Sequence, residues 1–144
     1  YRNTNDVSPM VASLRKVLGE LAAVHPIDRR CLVATGVSGG GMFSHILSVY
    51  EADSVVAVVP NTGMSNADLH AQTPRGRIAV FLASPTDFRY KEMQADQKRL
   101  QALGWETRWI EFPGGHVLAP PQAYKEAADW LAGMLNWVRT RPKR

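Results

Sequence analysis

Cys31-Leu32-Val33-Ala34-Thr35-Gly36-Val37-Ser38-Gly39-Gly40-Gly41-Met42 passes from a short apolar run through a glycine-dense turn into an amphipathic segment. Cys31 to Thr35 have the length and apolar character of a buried strand. After the turn, Met42, Phe43, Ile46, Leu47 and Tyr50 recur at helical spacing. A serine at a sharp strand-to-helix turn takes up a strained backbone conformation that lifts its hydroxyl clear of the sheet. The residues two positions away on either side then approach closely, which favours the absence of a β-carbon. Gly36 and Gly40 occupy those positions around Ser38 in a G-x-S-x-G pattern. The Gly39 N–H is placed to face negative charge developing on a carbonyl oxygen. Ser38 is therefore a candidate nucleophile, with Gly39 as an oxyanion donor.

Glycine-rich turns of this kind also hold phosphates, or simply turn. Thr35, Gly36 and Gly40 match the opening of the T-G-x-x-x-G-x-G pattern of short-chain dehydrogenases. However, Met42 stands where the last glycine is needed, and Pro60 and Asn61 end the next strand where an acid would bind a ribose. No tyrosine is followed four residues later by a lysine, and no lysine completes a phosphate-binding P-loop. A tight turn without chemistry remains the plain alternative.

Working outward, Met10, Val11, Leu14, Val17, Leu18, Leu21 and Val24 form one helical apolar stripe. Ser8 is placed to cap that helix, Pro9 suits its first turn and Pro26 stops it. On the other side, Ser54 to Val59 reads as a strand closed by Pro60, and Asn61 to about Gly76 as a polar loop. Ile78 to Ala83 and Glu106 to Phe112 read as further strands. They are separated by a helix from about Phe88 to Leu103 that ends at Gly104. A last helix runs from about Pro121 to Val138. Strands without polar alternation, separated mostly by helices, predict an α/β fold: a parallel sheet with helices on both faces.

Composition fits one soluble globular domain, with 45% apolar and 21% charged residues. The expected domain spans residues 1–138, with 139–144 as a basic tail. The net charge of +4 is concentrated there, in Arg139, Arg141, Lys143 and Arg144, without aromatic interleaving or a nucleic-acid motif. A nucleic-acid partner is not expected. No apolar run is long enough for a membrane span. One cysteine, Cys31, excludes an internal disulfide and a cysteine-based zinc cluster. Neither a metal nor a cofactor is implied. The chain begins at Tyr1 without a signal-like segment, so the compartment stays open; a secreted or periplasmic protein would need a signal upstream.

Two more residues lie at carboxyl ends of strands, where ligands of parallel sheets gather. Asp87 follows the third strand in Ser84-Pro85-Thr86-Asp87, placed to fix a histidine tautomer or, equally, to cap the next helix. His116 follows the fourth strand in Phe112-Pro113-Gly114-Gly115-His116. His25, His45 and His70 have no comparable setting. The chain order is serine, acid, histidine, with 49 residues from Ser38 to Asp87 and 29 from Asp87 to His116. That leaves a β-α unit at each step, and the order matches one fold of serine hydrolases and not the others.

The stretch from Asp28 to Leu131 resembles the second half of α/β-hydrolases of the polyhydroxybutyrate-depolymerase and feruloyl-esterase-like group. It covers roughly 70% of the chain. D-R-R-C-L-V-A-T-G-V-S-G-G-G-M, from Asp28 to Met42, resembles their nucleophile elbow. F-P-G-G-H, Pro120-Pro121 and Ala128-Asp129-Trp130-Leu131 resemble their histidine loop and final helix. The resemblance implies Ser38 as nucleophile, His116 as base and Asp87 as acid. Many relatives carry His-Gly where Ala83-Ser84 stands, which leaves Asp96 and Asp68 as alternative acids. It also implies an α/β-hydrolase fold lacking its N-terminal strands, with the second oxyanion donor outside this chain; Tyr1 to Asp6 are then the end of an earlier strand and its loop.

The expected activity is hydrolysis of carboxylic esters through an acyl-enzyme, rising with pH through the neutral range. Acyl transfer by the same triad is an alternative. So is an inactive, truncated hydrolase serving as an interaction module through an exposed half-sheet. A short Asn61 to Gly76 loop favours small-molecule or polymer-end esters. Met42, Phe43 and Met64 are candidates to line an acyl pocket, although core packing is the commoner fate of a residue such as Phe43. The oligomeric state cannot be read.

Overall fold

A computed structural model of the chain describes residues 6–66, 69 and 71–140. Their regular elements are α1 (Ser8–Val24), β1 (Leu32–Val37), α2 (Gly39–Tyr50), β2 (Val55–Asn61), β3 (Ile78–Ala83), α3 (Tyr90–Ala102), β4 (Glu106–Glu111) and α4 (Pro121–Thr140). The order and type of the elements are those read from the sequence. The four strands form one sheet in the order β1-β2-β3-β4, and every neighbouring pair is parallel.

Helices cover both faces, and the core divides accordingly. On one face Val11 of α1, Leu47 of α2, and Met93 and Leu100 of α3 pack on Ala34, Val55, Val58, Ala79 and Phe81. On the other, Ala123, Ala127 and Leu131 of α4 pack on Ala57, Val59, Val80, Leu82 and Ile110. β3 is buried at all six positions, as expected for an unalternating strand between two helix layers.

Pro60 does not close β2. The strand continues through Asn61, with Gly36 opposite Pro60 and Val37 opposite Asn61. Proline cannot donate to a ladder, and the pairing with β3 skips Val59 and Pro60 before resuming at Asn61 opposite Leu82. The absent N–H thus interrupts one ladder for two residues and leaves the other intact.

Two expectations for α1 need correction. Ser8 is its first residue, not its cap. The N-cap is Val7, and the Asp6 carboxylate accepts the Ser8 N–H at 2.9 Å. That hydrogen bonding holds the Asp6 carboxyl below its ordinary value. The apolar stripe of α1 is also mostly uncovered: Val11 is buried, but Met10, Val17, Leu21 and Val24 are exposed. Among the described residues β1 pairs only with β2, and Leu14 and Leu18 line an open groove with Leu32, Val33 and Leu47. At the other end, α4 runs to Thr140, two residues into the stretch read as a tail. Residues 1–5 and 141–144 lie outside the described residues.

Candidate active site

The turn at Ser38 is built by close backbone approach. Ser38 has φ 53° and ψ −113°, a conformation costly for a residue with a side chain. Its N–H donates to the Asn61 carbonyl at 2.9 Å, and its own carbonyl accepts the Met42 N–H. A β-carbon on Gly36 would fall 2.4 Å from the Gly40 carbonyl carbon. A β-carbon on Gly40 would meet nothing within 4 Å, so its glycine is not required for space. The second crowded contact lies elsewhere, between Gly41 and Gly63. Added β-carbons there would stand 3.0 and 2.7 Å from the opposite Cα. A β-carbon on Gly63, in the loop after β2, would also stand 2.7 Å from the Ser38 carbonyl oxygen. The sequence gives no local sign of this pairing, because 22 residues separate the two glycines.

Asp87 follows β3 in a turn closed by its N–H on the Ser84 carbonyl. The capping reading needs correction, because α3 begins at Tyr90 and its N-cap is Arg89, not Asp87. Oδ1 accepts the Arg89 N–H at 2.9 Å ahead of α3, while the carboxylate faces His116. The side chain is fully buried. His116 sits on the loop between β4 and α4, where Gly114 (φ 123°) and Gly115 (φ 76°) turn the chain in the left-handed region favoured by glycine. Phe88 lies against its imidazole with ring centroids 4.7 Å apart.

These loops bring Ser38, Asp87 and His116 together. His116 Nδ1 stands 3.0 and 3.1 Å from the two Asp87 carboxylate oxygens, and Nε2 stands 2.8 Å from Ser38 Oγ. An ionised carboxylate only accepts, so Nδ1 carries the proton of the neutral ring. Nε2 is then free to accept from the Ser38 hydroxyl. The Gly39 N–H stands at the first position of α2, where a helical N–H has no intrahelical acceptor. The arrangement can deprotonate Ser38 and hold the resulting imidazolium against Asp87.

The remaining candidates lie elsewhere. Asp96 is buried on α3, where it accepts the Ser65 N–H at 2.6 Å and pairs with Arg99. Asp68 and His70 fall outside the described residues. His45 is buried in α2 near Phe81, and His25 follows the end of α1. Phe43 and Met64 pack against the core, and Met42 Sδ lies 4.0 Å from Arg89 Nη1. An apolar cavity of about 400 Å³ lies under α4, lined by Val33, Val59, Tyr124 and Leu131 but by none of the three site residues. Among the described residues, no group of three or more His, Cys, Asp or Glu could hold a metal ion. No helix among them is long and apolar enough to cross a membrane.

Two polar residues escaped the sequence reading. Ser84, noted only as a departure from the relatives' His-Gly, is fully buried and accepts the Gly115 N–H at 2.9 Å. Asn61, taken as the start of a loop, is fully buried beneath the histidine loop. The cue available was its place at a strand's carboxyl end, the same cue that singled out Asp87 and His116.

No protein-family model matches the chain, and no curated protein matches it. Solved structures do. A structure titled YahD with malic acid superposes with TM-score 0.67 at 19% identity, over 88% of this chain and 63% of that one. The chain has the α/β-hydrolase fold. A Bacillus cereus carboxylesterase with this fold is similar at TM-score 0.65 and 19% identity, over 83% of this chain and 57% of that one. FphF, a fluorophosphonate-binding serine hydrolase of Staphylococcus aureus, matches at TM-score 0.64 and 14% identity, over 83% and 62%. The chain thus spans 57–63% of the length of these three neighbours.

Proposed function

We propose that this chain carries the catalytic centre of a serine hydrolase that cleaves carboxylic esters through an acyl-enzyme. The observation that carries the reading is the unbroken series Asp87–His116–Ser38, with contacts of 3.0 and 2.8 Å, ending on a serine held at positive φ. Neighbours that are esterases and serine hydrolases support the same class.

In this reading Ser38 Oγ attacks the ester carbonyl while His116 Nε2 takes its proton. The tetrahedral oxyanion forms against the Gly39 N–H. Its collapse breaks the C–O bond, and the departing alcohol takes the proton from Nε2. Water then attacks the acyl-serine and gives a proton to Nε2. The acid leaves, and the proton returns to Ser38. Asp87 stays ionised throughout, holding the Nδ1 proton and stabilising the imidazolium. Gly39 is the one oxyanion donor assigned to this chain. A donor missing from such a pair typically costs about 100- to 1,000-fold in turnover.

Labelling with a fluorophosphonate followed by peptide mapping tests the reading. The expected result is a single adduct on Ser38 that is slowed about 100- to 10,000-fold by His116→Ala, the usual weight of a general base. An adduct indifferent to His116, or one on another serine, would count against it.

A second reading has its own observation. Among the described residues β1 presents an unpaired edge with Val33 exposed, beside the uncovered stripe of α1. A chain acting only as an interaction module through that edge would associate in size-exclusion chromatography and leave Ser38 unlabelled.

A further inference from the structure

We propose that Asn61 is a positioning residue that ties the histidine loop to the nucleophile elbow, an assignment that rests on the serine-hydrolase reading above. Asn61 ends β2, which contributes none of the three reacting residues, and it is fully buried. Its main-chain carbonyl accepts the Ser38 N–H at 2.9 Å. Its side chain reaches the other way. Oδ1 accepts the Ala119 N–H at 2.7 Å and the Tyr124 hydroxyl at 3.1 Å, while Nδ2 donates to the Val117 carbonyl at 3.3 Å. One residue thus holds the nucleophile with its backbone and the chain just beyond the base with its side chain.

The loop has need of such a hold. Gly114 and Gly115 both sit at positive φ, where a glycine-rich chain has wide conformational freedom. Within the loop, the Val117 N–H bonds to the Gly115 carbonyl. That local bond does not connect His116 to the sheet. Besides the Phe112 N–H on the Ala83 carbonyl at the loop's start and the contacts of His116 itself with Asp87 and Ser38, side chains tie the loop down: Ser84 Oγ on the Gly115 N–H, before the base, and Asn61 on Val117 and Ala119, after it. The residue type follows from this task. A planar amide supplies an acceptor with two lone pairs and a donor on one short side chain. A buried amide left unpaired would be costly. An aliphatic residue continuing the Val-Val run of β2 would offer no tie at all.

A purely structural role would also explain buried hydrogen bonds, so the test must read the position of His116 itself. Three measurements on the full chain serve: the rate of fluorophosphonate addition to Ser38, the NMR resonance of the hydrogen-bonded His116 Nδ1 proton, and thermal unfolding. Misplacing a catalytic group by an ångström costs on the order of 100-fold. Asn61→Ala is therefore expected to slow labelling about that much and to weaken or broaden the Nδ1 resonance as the loop loosens and the proton exchanges with water. Asn61→Asp keeps the acceptor for Ala119 and Tyr124 but sets a buried carboxylate oxygen against the Val117 carbonyl in place of the donor, so both readouts should fall below those of the unsubstituted chain. If Asn61→Ala fails to fold, the response of Asn61→Asp against the unsubstituted chain decides. A lowered melting temperature with the Nδ1 resonance and labelling rate unchanged would overturn the proposal. Should the unsubstituted chain take no label, the hydrolase reading fails instead. The Nδ1 resonance then still decides whether Asn61 holds His116: its loss in Asn61→Ala supports the tie, and its persistence rejects it.

Discussion

A methyl group added to Gly36 would stand 2.4 Å from the carbonyl carbon of Gly40, whereas one added to Gly40 would touch nothing within 4 Å. The two glycines of the G-x-S-x-G pattern are therefore not equivalent. Gly36→Ala forces backbone against backbone, and overpacking of that kind costs about 1–3 kcal/mol. It should lower the melting temperature and displace Ser38, suppressing fluorophosphonate labelling. Gly40→Ala lies in the first turn of α2 and should keep both stability and labelling. Thermal unfolding and labelling rates of the two variants, side by side, check the asymmetry.

Strain at Ser38 makes an unusual prediction about stability. At φ 53° and ψ −113° a residue with a β-carbon is disfavoured by about 1–3 kcal/mol. Ser38→Ala and Ser38→Gly both lose the hydroxyl, but only glycine relieves the backbone. Ser38→Gly is expected to be the more stable variant, despite the entropy that glycine ordinarily loses on folding. Equal or reversed melting temperatures would show that the elbow stores no strain.

Asp87 serves two groups, and substitutions can separate them. Asp87→Asn keeps an acceptor for the Arg89 N–H but no longer fixes the proton on His116 Nδ1. Such a change typically costs about 10,000-fold in turnover and should cost little stability. Asp87→Ala abandons the Arg89 N–H as well, adding a capping-type loss of about 0.5–2 kcal/mol. Asp96→Asn, within α3 where the carboxylate meets Ser65 and Arg99, is expected to leave the labelling rate of Ser38 unchanged. A comparable loss in that variant would reopen the choice of acid.

The Tyr90 hydroxyl donates to Glu111, and Trp109 Nε1 donates to the same oxygen at 3.1 Å. These two hydrogen bonds hold the Glu111 carboxyl below its ordinary value of 4.5, the tyrosine bond contributing more. The same contact raises the Tyr90 hydroxyl above 10.0. A carboxyl depressed by folding stabilises above its unfolded value, and that contribution fades as pH falls through the folded one. Tyr90→Phe should move the Glu111 titration back up toward 4.5, with Trp109 retaining part of the shift. NMR titration of the Glu111 side chain in both proteins reads this directly.

Much of this architecture was legible because it is written in short-range patterns. Strand length, helical spacing and glycine punctuation placed the eight elements in order, and the carboxyl ends of β1, β3 and β4 pointed to Ser38, Asp87 and His116. What escaped depends on partners far apart in the chain. Asn61 meets Val117, Ala119 and Tyr124 across 56 to 63 residues. Gly41 and Gly63 meet only because α2 passes beside the end of β2. Pro60, a strand terminator by local rules, is carried by a ladder that can omit two residues. The stripe on α1 teaches a different lesson. Periodicity reveals that a helix has an apolar face, but whether that face is covered depends on neighbours that periodicity does not describe.

The seating of Ser38 on β1 shapes how this molecule fails. Among the described residues β1 is an outermost strand, held on one side by β2, while Asp87 and His116 follow β3 and β4 beyond it. Fraying of a sheet begins at its margins, where backbone hydrogen bonds are fewest and wettest. Gentle warming should therefore unseat the attacking hydroxyl while the Asp87–His116 pair stays assembled. Inactivation would then precede melting and reverse on cooling, and amide exchange along β1 would outpace exchange in the buried β3. Whatever clasps that free margin would raise the temperature at which chemistry stops before it raises the temperature at which the fold does.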